Sequence, residues 1–340
     1  MDEKGRVAML ARVLASRTAD VRMGIGDDAA VLEGTRGNSQ LVWTVDEQVE
    51  GSHFRRDFLS WRDIGWRSFM AAASDVAAMG AQPWCGLCAL VLPDDVGDVE
   101  LEEIAHGQSE AAARAGAAIV GGNLARGPAL SIATTVLGTC DCAVLRSGAR
   151  PGDTLWAAGR LGLAAAGLLA LERGIAEDPK LRKAVAAWRT PRALVAEGLD
   201  MCTFAHAAVD ASDGLARDAG HLAEASGVRI VFDERALLGD TVLSEAAVAL
   251  GEDALDLALY GGEDYALIVA SEVPIQGFRC IGEIVQGRGL SLRATDTDWS
   301  HGSGPEVSGP ILDLLMAMTG RKSAASQLSG QGVAMLQARP

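Results

Sequence analysis

Aromatic residues are scarce here: Trp, Tyr and Phe make up 4% of 340 residues. A core of normal size must then be filled by small side chains, and the chain carries 40 Gly and many Ala-rich stretches. Long apolar runs are missing as well. No stretch reaches the 18 uninterrupted apolar residues that a membrane-crossing helix needs, so no membrane partner is expected. The opening residues, MDEKGRVAMLARVLASR, mix charges and lack the apolar region of a secretion signal, so a cytoplasmic protein is expected. Basic charge is short, with 30 Lys and Arg against 45 Asp and Glu, a formal net charge of -15. Such a surface repels nucleic-acid phosphates and excludes DNA or RNA as an expected partner. A phosphorylated small molecule remains admissible if metal ions screen the repulsion. Neither GxGxxG nor GxxxxGK[ST] occurs, which excludes a dinucleotide fingerprint and a P-loop.

Cysteine is sparse too, with six residues that should be reduced thiols in a cytoplasmic setting. Trp84-Cys85-Gly86-Leu87-Cys88 has redox-like spacing. A redox pair needs its first Cys at a helix N-terminus, whereas this segment continues as the apolar run CALVLP and reads as a buried strand. Residues i and i+3 of a strand face opposite sides, so the two thiols do not form a pair.

What is present suits two domains, since 340 residues exceed one ordinary core. The patterning predicts an amphipathic helix over 5–17, a loop at Gly24–Asp28, and strands at 29–32 and 41–46. A long helix at 62–79 follows, then a strand at 84–92, a helix at 98–116, a turn at Gly121-Gly122-Asn123 and a strand at 130–139. Arg146-Ser-Gly-Ala-Arg-Pro-Gly-Asp153 is turn-rich, and the boundary is placed there: domains at 1–145 and 146–319, with a tail at 320–340 expected to lack order. In the second half, strands are expected at 154–158, 206–210, 228–232, 265–270 and 279–285. Helices are expected at 162–173, 191–200 and from Asp213 to 225. Strands and helices mix without a strict βαβ rhythm, so the expected class is α+β.

Six Asp residues in small, Gly-flanked clusters carry the chemical signal: Asp27, Asp28, Asp46, Asp75, Asp210 and Asp213. Carboxylates in apolar or Gly-rich surroundings are costly unless neutralised, and oxygen ligands suit hard divalent cations. Gly24-Ile-Gly-Asp-Asp28 joins backbone freedom to two acids, although, taken alone, an ordinary Asp-rich turn explains it better. Thr44-Val-Asp46 ends an apolar strand, and His53 follows in a polar loop as either a phosphate contact or a structural hydrogen bond. Asp75 sits in FMAAASDVAAMG, where an unpaired carboxylate costs about 3–5 kcal/mol. A metal would offset this, and so would a buried pair with Arg67 or Arg126. In VDASDG, Asp213 or Ser212 reads as a helix N-cap, and the amides there could meet a phosphate. Gly261-Gly262-Glu263-Asp264-Tyr265 reads as a hairpin entry or a loop for a cationic or amine-bearing substrate.

GIGDDAAVL, TVDEQVEGSHF, SDVAAMGAQP, GGNLARGP, RSGARPGD, DASDGLARD and GGEDYAL follow in one order from residue 24 to about 290. In this the chain resembles the thiamine-monophosphate kinase family, within the aminoimidazole-ribotide synthetase-like ATP-using superfamily. The resemblance implies ATP-dependent phosphorylation of thiamine monophosphate to thiamine diphosphate, a two-domain α+β fold, and a homodimer paired through the N-terminal sheet. It implies several Mg²⁺ ions held, directly or through water, by Asp28, Thr44, Asp46, Asp75, Asp210 and Asp213, with Asn123 as a further ligand. It also implies ATP contacts from Gly121, Gly122, Arg146 and Ser212, and substrate contacts from His53 and Glu263. Asp28, Asp46, Asp75 and Asp210 would be the catalytic set. The acceptor, a phosphate oxygen, is already ionised near neutral pH, so no strong base is required.

Three features depart from the family pattern. Asn123 replaces the usual Asp of a GGD segment, Val45 stands where Thr is common, and no C-terminal aromatic motif is recognisable, Trp299 and His301 being poor substitutes. Two alternatives follow. One is a related ATP-dependent enzyme with another acceptor; for selenophosphate synthetase no Cys precedes Cys85. The other is a nucleotide-binding regulator without catalysis, against which the retained Asp residues argue.

Overall fold

The computed structural model describes residues 21–23, 27, 29–33, 39–287, 291–301, 306–318 and 322–334. The helix expected at 5–17 lies outside the described residues, as do Gly24–Gly26 and Asp28. Within the described residues the first half is a six-stranded sheet. Its strands are β1 (Val21–Met23), β2 (Ala30–Glu33), β3 (Gln40–Val49), β4 (Gln82–Leu92), β5 (Ala118–Arg126) and β6 (Ser131–Cys140), in the order β1-β2-β3-β6-β4-β5. Helix α1 (Trp61–Ala78) packs on β3 and β6, with α2 (Asp98–Arg114) against it. Ser60 caps α1: its hydroxyl accepts from the Asp63 amide at 3.1 Å, and Asp63 accepts from the Ser60 amide.

The second half is an antiparallel sheet of β7 (Thr154–Ala158), β8 (Ala207–Ala211), β9 (Val228–Phe232), β10 (Ala266–Ser271) and β11 (Arg279–Gln286), ordered β8-β10-β7-β11-β9. Around it lie α3 (Leu163–Glu172), α4 (Arg182–Arg189), α5 (Val195–Met201), α6 (Leu215–Ser226), α7 (Glu234–Leu237), α8 (Thr241–Leu250) and α9 (Ala254–Tyr260). A small third sheet, β12 (Ser291–Ala294), β13 (Ser300–His301) and β14 (Glu306–Gly309), carries α10 (Ile311–Met318). The α+β class expected from the sequence is the class observed.

Helix α1 is the common wall. From Ile64 to Ala78 all of its residues except Trp66 and Asp75 are buried. One side meets the first sheet, and another meets β8 and α5 of the second half. Only Ala, Ser and Gly admit such close approach on several sides. A Cβ on Gly65 would lie 2.0 Å from the Ile104 carbonyl oxygen of α2, and one on Gly198 of α5 would lie 2.3 Å from the Ala77 carbonyl oxygen.

Four expectations need correction. Gly121-Gly122-Asn123 is not a turn but the middle of β5. The edge position supplies the reason: β5 is exposed along most of its length, and a Cβ on Gly122 would sit 1.8 Å from the Cys88 carbonyl oxygen of β4, so close pairing demands glycine there. The strand at 84–92 is buried on one face only, with Trp84 and Leu87 open to solvent. Neither Asp213 nor Ser212 caps α6; the N-cap is Gly214 at φ 119°. The tail region carries a 3-10 helix, Lys322–Gln327, and Ala324 and Leu328 are buried with Val307 and Leu314. Trp299 packs on that same cluster.

The six cysteines are free, and Cys88 is buried with Gln108 donating to its sulfur at 2.8 Å. Among the described residues no helix is long and apolar enough to cross a membrane. The glycine packing yields a paired prediction for thermal unfolding. Gly65→Ala should destabilise by about 3 kcal/mol or more, because two helix backbones must part. Gly220→Ala, in mid-α6 with open space around its Cα, should instead stabilise by about 0.5–1 kcal/mol.

Candidate active site

The alternation of β3 points Val42, Thr44, Asp46 and Gln48 toward α1, while Trp43, Val45 and Glu47 point away. The Thr44 hydroxyl donates to Asp75 Oδ2 on α1 at 2.6 Å. One residue earlier on the same helix, the Ser74 hydroxyl donates to Asp210 Oδ2 at 2.6 Å. Asp75 thus faces the first sheet and Ser74 the second. Neither arginine weighed as a partner for Asp75 is placed there: Arg67 pairs with Glu263, and Arg126 pairs with Asp94 at 3.1 Å.

Asp210 is the penultimate residue of the buried strand β8 and is 2% exposed. Burial pushes its carboxyl up to about 7; the Ser74 hydroxyl opposes this, the charges of Asp218 and Asp46 reinforce it, and Arg146 opposes it. Burial also raises Asp46. The Gln48 amide, 3.3 Å away, counters that, Glu263 adds to it, and His53 and Arg67 draw it down. Asp46, Asp210, Glu263, Arg67 and His53 therefore share one electrostatic neighbourhood spanning both halves.

The two Gly-rich loops of the second half interlock. The Glu263 amide donates to the Ser212 carbonyl at 2.7 Å and the Tyr265 amide to the Ala211 carbonyl at 2.8 Å. Glu263 and Tyr265 both hold positive φ, 67° and 50°. Between them, Asp264 accepts the Ala164 amide at 3.0 Å and the Gly162 amide at the start of α3. Burial nevertheless pushes Asp264 up to about 7.

Other expected residues are more exposed or are held by local partners. Asp213 is half exposed and pairs with Arg217 at 3.1 Å. The Asp213 and Gly214 amides, considered above for a phosphate, both donate to Asp218 at 2.9 and 3.1 Å. The Arg146 amide donates to Asp27 at 3.0 Å. His53 is exposed, and its Nδ1 accepts the Val49 amide at 3.0 Å. Asp46, Thr134, Cys88 and Gly122 form one row across β3, β6, β4 and β5. Three strand spacings, about 14 Å, thus separate Asp46 from the Gly121–Asn123 segment. Among the described residues no three Asp, Glu, His or Cys side chains gather closely enough to hold a metal ion. Sequence reasoning missed Asp218 and Trp188 as supporting residues, named Asp264 only within a candidate substrate loop, and left Arg67 only as a candidate partner for Asp75. An acid in the first turn of α6 was the available signal for Asp218.

The family comparisons accord with this geometry. Residues 26–140 match the model described as AIR synthase related protein, N-terminal domain, and residues 150–293 match its C-terminal domain. A curated thiamine-monophosphate kinase from Mycobacterium tuberculosis is 36% identical over 293 residues, 84% of this chain and 87% of that protein. The chain belongs to the thiamine-monophosphate kinase family. A solved structure titled "AaThiL complexed with AMPPCP and TMP" is similar with a TM-score of 0.78 and 30% identity, covering 84% of this chain and 91% of that one. The thiamine-monophosphate kinase structure from Stenotrophomonas maltophilia matches with a TM-score of 0.68 and 35% identity, over 83% and 93% of the two chains.

The raised Asp210 gives a pH prediction. Its folded value of about 7 exceeds the ordinary 3.8, so the folded state holds a proton that the unfolded state releases in between. Stability from this group is full below about pH 4 and is lost as pH rises through 7. Asn mimics the protonated carboxyl. Asp210→Asn should therefore raise the melting temperature of the ligand-free protein progressively more from pH 4 to pH 8; a difference that does not vary with pH would contradict this.

Proposed function

We propose that this protein transfers the γ-phosphoryl group of ATP to the phosphate of thiamine monophosphate, forming thiamine diphosphate. The observation that carries the reading is the meeting of acidic side chains from both halves on one helix, Asp75 with Thr44 and Ser74 with Asp210. The family relatives named thiamine-monophosphate kinase support it.

The donor set is all oxygen, and a buried carboxyl held near 7 is a group that a cation would return to its ionised form. These residues fit Mg²⁺ in kind. In this reading Asp46, Asp75, Asp210 and Asp213 hold the ions, with Asp28 and Thr44 completing the set. Asn123, about three strands from Asp46, serves a separate ion. Bound Mg²⁺ supplies the positive charge that lets two polyanions approach. The chain's own task is orientation. Gly121 and Gly122 expose backbone for ATP, and Arg146 and Ser212 flank it. The His53 Nδ1 accepts a backbone amide, so in the neutral ring the proton sits on Nε2, ready to donate to the substrate phosphate. Glu263 meets the cationic ring system. No side chain need remove a proton, because the attacking phosphate oxygen is already ionised.

A homodimer belongs to the same reading. Trp43, Val45, Trp84, Leu87, Val120 and Leu124 are exposed on β3, β4 and β5, an apolar sheet face of the kind that pairs subunits. A cytoplasmic setting does too, and the six free thiols accord with it.

Incubation with Mg-ATP and thiamine monophosphate should yield thiamine diphosphate by chromatography, and Asp75→Asn should lower turnover by at least about a hundredfold. Folded protein that binds Mg-ATP but makes no product would overturn the reading. For the dimer, Leu87→Glu should convert a particle of two chains into one of a single chain in light scattering; an unchanged mass would place the interface elsewhere.

A further inference from the structure

We propose that Arg67 is a positioning residue for substrate recognition: anchored on Trp188, it holds the Glu263 carboxylate of the opposite half with one oxygen presented to the cationic ring system of thiamine monophosphate. The proposal deepens the functional reading above and rests on it.

Arg67 lies on α1, is 2% exposed, and is among the largest fully buried side chains. Its guanidinium donates through Nη1 to the Trp188 carbonyl and through Nη2 to Glu263 Oε2. It also stacks over the Trp188 ring at 4.6 Å. Among the described residues, two buried donors, Arg67 Nε and the Trp188 ring N–H, find no hydrogen-bond partner. Burying a cation with an incomplete donor set is unfavourable, and an apolar side chain would fill the space at lower cost. What the arginine secures is the direction of one carboxylate.

Glu263 needs such a hold. Its backbone is left-handed, which side chains seldom adopt, and its amide is tied to Ser212. The backbone therefore aims the side chain from a rigid loop. Asp46 lies close enough to repel it, and Arg67 attracts both acids. With Oε2 tied to Arg67, Oε1 has no protein partner among the described residues, and the side chain keeps 27% exposure. One anchored oxygen and one open oxygen form an oriented acceptor for a cationic or amine-bearing ring. An arginine fork supports this geometry better than a point charge.

The test separates the two Michaelis constants in thiamine diphosphate formation. Arg67→Met should raise KM for thiamine monophosphate about tenfold or more, with a much smaller change in KM for ATP. Arg67→Lys, which keeps the charge but not the fork, should recover only part of that loss. Glu263→Gln should show a similar selective rise, and the double variant should add little to either single one. Equal shifts in both constants, or a double effect equal to the product of the singles, would overturn the proposal. If Arg67→Met fails to fold, Trp188→Phe, which keeps a smaller ring under the guanidinium, should still raise KM for thiamine monophosphate selectively; an unchanged value would overturn it. Wild-type protein that makes no thiamine diphosphate would overturn the phosphotransferase reading and this proposal with it, whereas wild-type turnover with unshifted variants overturns this proposal alone.

Discussion

Three polar side chains on one alanine-rich helix tie acidic and polar groups of both halves to a single wall. Arg67 reaches Glu263, Ser74 reaches Asp210, and Asp75 receives Thr44. Residues 67 and 74 are seven apart and share a helix face, whereas 75 is rotated by about 100°. The helix therefore ties the second half through one face and the first sheet through the next. Small residues around these three let both sheets come close, and each polar contact is buried enough to matter.

The consequence is an acidic site whose groups are uncomfortable on their own. Asp46 and Asp210 are both raised, chiefly by burial; the charge of Glu263 adds to the rise of Asp46, and the charges of Asp218 and Asp46 add to that of Asp210. Such a site gains from cations and is suited to bringing two phosphate-bearing molecules together. The interlocked Ala211–Gly214 and Gly261–Tyr265 loops add rigidity, with two side chains at positive φ marking where local comfort has been given up for direction.

Much of this was legible in the sequence. Strands β7 and β9 are bounded by Gly and Asp turn signals, and both match the expected 154–158 and 228–232. Helix α1 announced itself by length and by the Gly80 and Pro83 stop. Asp46, Asp75 and Asp210 stood out because lone acids in apolar runs are costly. The edge strand β5 was hidden because Gly-Gly-Asn carries turn chemistry, and only the close pairing with β4 explains glycine there. The partner of Arg67 was hidden for a different reason. Its charge suggested a buried pair with Asp75, and only the fold shows it 2% exposed beneath Trp188 and joined to Glu263, far along the chain. Asp218 was similarly masked by Asp213, the more obvious capping residue. Short helices such as α7 and α9 carry too few turns for a periodic signal.

The most direct measurement is a crystal structure with Mn²⁺, an unreactive ATP analogue and thiamine monophosphate, read by anomalous scattering. The account predicts Mn²⁺ peaks between the phosphates and the carboxylates of Asp46, Asp75 and Asp210, with the thiamine ring against Glu263. Mn²⁺ bound only away from these three acids, or thiamine monophosphate seated far from Glu263, would contradict it.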